Sequence, residues 1–172
     1  CEEGTYNPNS GSTSDADCIN ASLGYYVPTV GSANQTAASP GYYVIDTGAI
    51  SQTPCSPGTY QPSTGQTSCI DASAGHFVLY YNSTSQTECP VGTYQSNTGQ
   101  SFCLNTSPGY YAPVNGSASQ TPCSAGTYQP DTGQTSCLDA DAGHYVDTTA
   151  ATSQTACSVG TYNPNNGSSS LS

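Results

Sequence analysis

The chain has no Lys, no Arg, no Met and no Trp, and only two Phe among its 172 residues. Without a single cationic side chain, 11 Asp and Glu leave a formal net charge of -11. That balance excludes nucleic acid and anionic membrane surfaces as electrostatic partners, and it removes Lys or Arg salt bridges as a means of stabilisation. No stretch approaches the roughly 18 consecutive apolar residues of a membrane-spanning helix. Helical periodicity is likewise missing over any window of about 11 residues or more. A conventional core is excluded too. Ser and Thr supply 49 residues, whereas ordering a chain costs about 1–2 kcal/mol per residue, which large apolar side chains normally offset. The main large side chain is Tyr, present 14 times, and its hydroxyl calls for a polar neighbour or water.

What the chain does have is cysteine, nine in all. Disulfides persist in oxidising compartments and replace a core where one is too small, so the chain reads as extracellular or at the cell surface. It starts at Cys1 and has no Met, which is expected of a processed or internal piece.

A glycine followed two residues later by an aromatic ring recurs ten times. The rings are Tyr6, Tyr26, Tyr43, Tyr60, Phe77, Tyr94, Tyr111, Tyr128, Tyr145 and Tyr162, spaced 17 residues apart except for a first interval of 20. Such a beat points to stacked small units rather than one domain. Relative to the glycines, the cysteines occupy two slots. Cys1, Cys55, Cys89, Cys123 and Cys157 lie three residues before, and Cys18, Cys69, Cys103 and Cys137 lie six before. Where the first slot lacks cysteine it holds Ala21, Ala38, Ala72, Thr106 or Ala140; where the second lacks it, Gln35, Gln52, Gln86, Gln120 or Gln154 stands there. From Gly58 on, the two kinds of half-unit alternate, giving a period of 34 residues.

Pairing each first-slot cysteine with the next second-slot cysteine gives Cys1–Cys18, Cys55–Cys69, Cys89–Cys103 and Cys123–Cys137, with short and similar loops. A shifted register, with Cys18–Cys55 spanning the cysteine-free half-unit around Gly41, stays open at this stage, though the even loops favour the first. Each bridge is expected to contribute on the order of 3 kcal/mol. Cys157 is left unpaired within the segment. It opens the same motif as Cys1, so its partner is expected in a longer chain or another molecule.

Each bridged half reads as a β-hairpin: Gly58-Thr-Tyr-Gln as a strand, Pro62 to Gly65 as the turn and Gln66 to Cys69 as the return. The fold expected is all-β, small and disulfide-rich: a tandem array of short hairpins forming an elongated rod or solenoid, with the rings stacked along it. Its divisions are a first repeat over 1–37, a cysteine-free half-repeat over 38–54, repeats over 55–88, 89–122 and 123–156, and the start of a further repeat over 157–172.

Six Asn-x-Ser/Thr sequons, at Asn20, Asn34, Asn82, Asn105, Asn115 and Asn166, are candidates for N-linked sugars, with O-linked sugars on Ser/Thr as a further option. His76 and His144 share one repeat slot and have no His, Lys or Arg nearby in sequence, so a structural role is expected of them and no catalytic one. No cofactor is expected. Asp15/Asp17 and Asp139/Asp141 have the spacing of a two-ligand calcium contact without the rest of an EF-hand loop, which allows at most weak calcium binding.

The stretches Cys55-Ser-Pro-Gly-Thr-Tyr-Gln-Pro-Ser-Thr-Gly-Gln-Thr-Ser-Cys69 and Cys123-Ser-Ala-Gly-Thr-Tyr-Gln-Pro-Asp-Thr-Gly-Gln-Thr-Ser-Cys137 resemble the ephrin-receptor-like cysteine-rich tandem repeats of extracellular proteins. The resemblance extends through Cys89 to Cys103 and to the motifs opening at Cys1 and Cys157. It implies spacers and ligand-presenting stalks. The family usually has a further cysteine where Ala72, Thr106 and Ala140 stand, so the chain looks like a cysteine-reduced form of the repeat.

The function expected is that of a structural extracellular glycoprotein, a surface stalk or self-assembling filament. The alternative is a ligand- or glycan-binding repeat region of an adhesin or receptor ectodomain. An enzyme is not expected. The stretch Phe77-Val-Leu-Tyr-Tyr81 is the strongest candidate contact patch.

Overall fold

The computed structural model describes residues 1–170. Thr and Tyr favour extended backbone, and the repeat places them, or a related pair, directly after each glycine. Among the described residues this produces eighteen two-residue strands, paired as nine two-stranded antiparallel sheets. One 3-10 turn, Asp15–Asp17, occupies the longer opening loop, where the Ser14 hydroxyl oxygen accepts from the Ala16 N–H. The fold is thus an all-β tandem array of short disulfide-linked hairpins without a helical core.

The strands are shorter than the sequence pattern implies, and the return strand lies further on. Thr59–Tyr60 pairs with Ile70–Asp71, just beyond Cys69, and not with Gln66 to Cys69. The reason is that Gln66 serves a neighbour: its carbonyl accepts from the Val44 N–H at 2.9 Å. Tyr110–Tyr111 pairs with Thr121–Pro122 in the same manner.

Four disulfides join Cys1–Cys18, Cys55–Cys69, Cys89–Cys103 and Cys123–Cys137. They correct the expectation of a cysteine-reduced form of the repeat, because these cysteines are paired, not reduced. The hairpin register holds each pair at Cα separations of 5.4 to 5.8 Å, inside the span that a disulfide bridges. Cys157 alone is free among the described residues.

The chain divides into two compact units, one of Cys1–Ala72 with Val78–Gln86 and Gly99–Ser101, the other of Ser73–Phe77, Thr87–Thr98 and the chain from Phe102 onward. In the first unit the backbone of Ala38 carries a ladder. Its N–H donates to the Gly24 carbonyl and its own carbonyl accepts from the Gly65 N–H, both at 2.8 Å. Cys55 and Ala72 make the equivalent bonds, to Gly41 and Asn82 and to Gly58 and Gly99. In the second unit Cys89, Thr106, Cys123 and Ala140 repeat the pattern. Each first-slot residue is therefore a rung between two other half-units, and at all eight positions from Ala21 to Ala140 it is fully buried. Burial among backbones explains why this slot takes only Ala, Cys or Thr.

The repeat glycine has an equally direct cause. Gly24 has φ +80°, and a Cβ there would run into the carbonyl oxygen of Gly65, two half-units on. A second glycine column supplies these turn carbonyls, and in it Asn82 (φ +59°) and Ala150 (φ +57°) are the two non-glycine members.

Candidate functional site

The half-units differ in how each closes its loop. In three of the four bridged halves, the residue three after the repeat glycine is a buried glutamine, and in the Cys1–Cys18 half it is the half-buried Asn7. Gln61 Nε2 donates to the Ser68 carbonyl at 2.8 Å while its Oε1 accepts from the Ser63 N–H at 3.1 Å. Gln95 and Gln129 do the same for Phe102 and Asn97, and for Ser136 and Asp131. Each buried amide thus finds its partners in the exposed loop backbone just inside a disulfide; left unpaired, a buried amide would cost about 1–3 kcal/mol. In unbridged halves Val27, Val44, Val78, Ala112 and Val146 fill this position and are buried.

The second-slot glutamines perform the complementary task. Gln35, Gln52, Gln120 and Gln154 accept, through Oε1, the N–H of Ser22, Ser39, Ser107 and Asp141 at 2.6 to 2.8 Å. Those donors directly follow the first-slot residues. Where a disulfide is absent, a side-chain hydrogen bond closes a loop of the same length. Sequence reading found these glutamines as a recurring slot but not what they bind; the constant 14-residue offset from Ala to Gln was the available signal.

The ring column lies half-buried from Tyr6 to Tyr145, whereas Tyr162 is exposed. The first-slot residues from Ala21 to Ala140 and the Val, Gln or Ala three after each glycine from Gly24 to Gly143 are buried. Within the candidate patch, Val78 turns into the core, and Leu79, Tyr80 and Tyr81 are 50%, 72% and 63% exposed. Sister copies place Pro62, Ser63 and Thr64, or Ser96, Asn97 and Thr98, at the same positions.

All six sequon asparagines are exposed. Asn115 and Asn166 accept backbone N–H bonds from Val91 and Ala142 through Oδ1, at 3.1 and 3.0 Å. The carboxamides of Asn20 and Asn105 lie over turn glycines Gly48 and Gly133. His76 stands opposite Glu88 and His144 opposite Ala156 in their hairpins. His76 Nδ1 lies 3.3 Å from the Ala74 carbonyl oxygen, and His144 Nδ1 is buried without a hydrogen-bond partner. Asp15 lines a 400 Å³ cleft of the opening loop with Cys1, Asn7 and Asn9. Among the described residues no three His, Cys, Asp or Glu side chains come together as a metal site, and no helix is long and apolar enough to cross a membrane.

The family model described as tyrosine-protein kinase ephrin type A/B receptor-like matches residues 41–89, 79–123 and 109–157. These overlapping stretches run through more than half of the chain, and their ends fall 34 residues apart. No curated protein matches the chain.

Proposed function

The chain belongs to the ephrin-receptor-like family of extracellular, non-catalytic cysteine-rich repeats, and on that premise we propose that it is a binding repeat region of a receptor or adhesin ectodomain. The observation that carries this reading is the exposure of the adjacent Tyr80 and Tyr81, at two positions where no other copy places an aromatic residue. Exposed tyrosines give large, amphipathic contact area at low entropic cost, and a repeat has no internal reason to place them there. The disulfides and glutamine clamps supply the rigid support that such a surface needs. N-linked sugars on the exposed sequon asparagines fit the same extracellular role.

The test uses the whole chain made in an oxidising compartment. Its retention on cell surfaces is compared with that of the Tyr80→Ser/Tyr81→Thr variant, which restores the residues of the 55–69 loop. We expect retention of the native chain and at least about a tenfold loss in the variant, equivalent to about 1.4 kcal/mol. Four intact disulfides in both proteins would control for folding. Equal retention of the two would overturn the role of this patch, and no retention of either would overturn the receptor or adhesin role.

The structural reading, a stalk or self-associating filament, is supported by a different observation. The ladder through Ala38, Cys55 and Ala72 repeats without a change of pattern, as nearest-neighbour arrays do. Electron microscopy separates the two: dispersed single chains under native conditions would sink the filament.

A further inference from the structure

We propose that two equivalent grooves, one beside Cys55–Cys69 and one beside Cys123–Cys137, bind uncharged saccharide residues of a glycan chain. The inference rests on the reading of the chain as a binding region and names a ligand class for it.

The first groove is about 360 Å³ and is lined by Tyr43, Ser56, Thr59, Ser68 and Cys69, with Ile45 and Thr67 at its wall. The second is about 260 Å³ and is lined by Tyr111, Ser124, Thr127, Ser136 and Cys137. These five residues stand 68 positions after those of the first groove, two full periods, and every type is the same. Each groove lies within one compact unit. Each is lined by one cysteine of a disulfide and by a half-buried Tyr on a strand.

The chemistry of the lining selects the ligand. Neither groove contains an Asp, Glu or His, although the chain carries 11 acids. No Lys or Arg exists to hold an anion, and no carboxylate at the groove attracts a cation. What remains is an aromatic surface beside hydroxyls. Thr59 and Thr127 donate their hydroxyl hydrogens to the Ser56 and Ser124 carbonyls at 2.8 Å, which leaves the Oγ1 lone pairs to accept. An apolar ring face flanked by hydroxyl acceptors and donors matches a pyranose ring, which has an apolar C–H face and an equatorial rim of hydroxyls. Two copies of one groove suit a ligand that is itself a repeating chain, since two engaged sites reinforce each other. In the intervening copy, Phe77, Pro90 and Phe102 stand at the positions of Tyr43, Ser56 and Ser68, so three of the hydroxyls are lost.

The experiment is saturation-transfer NMR on the full chain, secreted into a bacterial periplasm so that it carries no N-linked sugars of its own. The probes are chitotetraose, cellotetraose and mannotetraose, with a neutral Ser/Thr-rich peptide beside them. We expect transfer to at least one saccharide, with apparent affinity reduced by about tenfold or more in Tyr43→Ala/Tyr111→Ala and unchanged in Tyr80→Ser/Tyr81→Thr. Non-reducing mass spectrometry verifies four disulfides in each protein. Tyr43→Phe/Tyr111→Phe, which keeps the ring, provides a second variant should the alanine protein fail to fold, and weakened binding is expected of it. Absence of transfer to all three saccharides, or transfer that neither double variant changes, overturns the proposal, as does transfer to the peptide alone. Saccharide failure with surface retention intact rejects the grooves and leaves the binding-region reading standing. Saccharide transfer without surface retention supports the grooves and rejects the cell-surface receptor or adhesin role.

Discussion

At the scale of the residue, the second glycine column contains its own control. Turn residues two half-units on press their carbonyls against repeat glycines, and the backbone is left-handed at both places. Asn82 adopts it readily because a short polar side chain tolerates that region, whereas Ala150 at φ +57° carries the Cβ strain of an ordinary residue. Replacing Ala150 with Gly is therefore expected to stabilise the chain by about 1 kcal/mol. The reverse change at a packed site, Gly24→Ala, is expected to destabilise by about 2 kcal/mol or more. It combines the same backbone strain with a collision against the Gly65 carbonyl. Thermal denaturation of both variants beside the parent checks the two signs. A neutral Gly24→Ala would mean that the half-units can separate without cost.

At the scale of the element, two hairpins of equal loop length are closed by different chemistry. A disulfide restrains the unfolded chain as well as the folded one. The Gln52 amide accepting from Ser39 at 2.7 Å acts in the folded state and contributes roughly 1 kcal/mol. The equivalence predicts that Ala38→Cys/Gln52→Cys forms a fifth intramolecular bridge in the cysteine-free half-unit. Ala38 is fully buried at the rung that Cys55 occupies one half-unit later, so the new sulfur extends a methyl carbon in an established slot. Non-reducing peptide mapping should recover the 38–52 crosslink, with a gain on the order of 3 kcal/mol in stability. Two free thiols in the folded variant would show that the Gln-closed and Cys-closed loops differ in backbone geometry.

At the scale of the whole molecule, the charge pattern makes a prediction opposite to that for most proteins. With 11 acids and no Lys or Arg, there are no Lys or Arg ion pairs for salt to weaken, only like-charge repulsion for it to screen. Raising sodium chloride from about 0.01 M to 0.15 M shortens the Debye length from about 30 Å to 8 Å and is expected to raise the thermal midpoint. Differential scanning calorimetry at the two concentrations tests this, and a lower midpoint at higher salt would contradict it.

The periodic glycines, the two cysteine slots and the shortage of large apolar residues were enough to determine an extracellular all-β repeat array, because each is a local demand on backbone, redox state or burial. The buried first-slot column was legible only as a list of small residues. Ala, Cys and Thr share that slot because neighbouring backbones close over it, a constraint that exists only once half-units stack. The same holds for Gln61 and Gln52. Their recurrence is visible in one dimension, but whether an amide satisfies a disulfide loop or replaces a disulfide depends on which backbone groups fall within about 3 Å. The return strand at Ile70–Asp71 was likewise decided in three dimensions, when Val44 claimed the carbonyl of Gln66. Sequence determined the beat of the chain; tertiary hydrogen bonding decided which residue answers which, because those partners lie one or two half-units away.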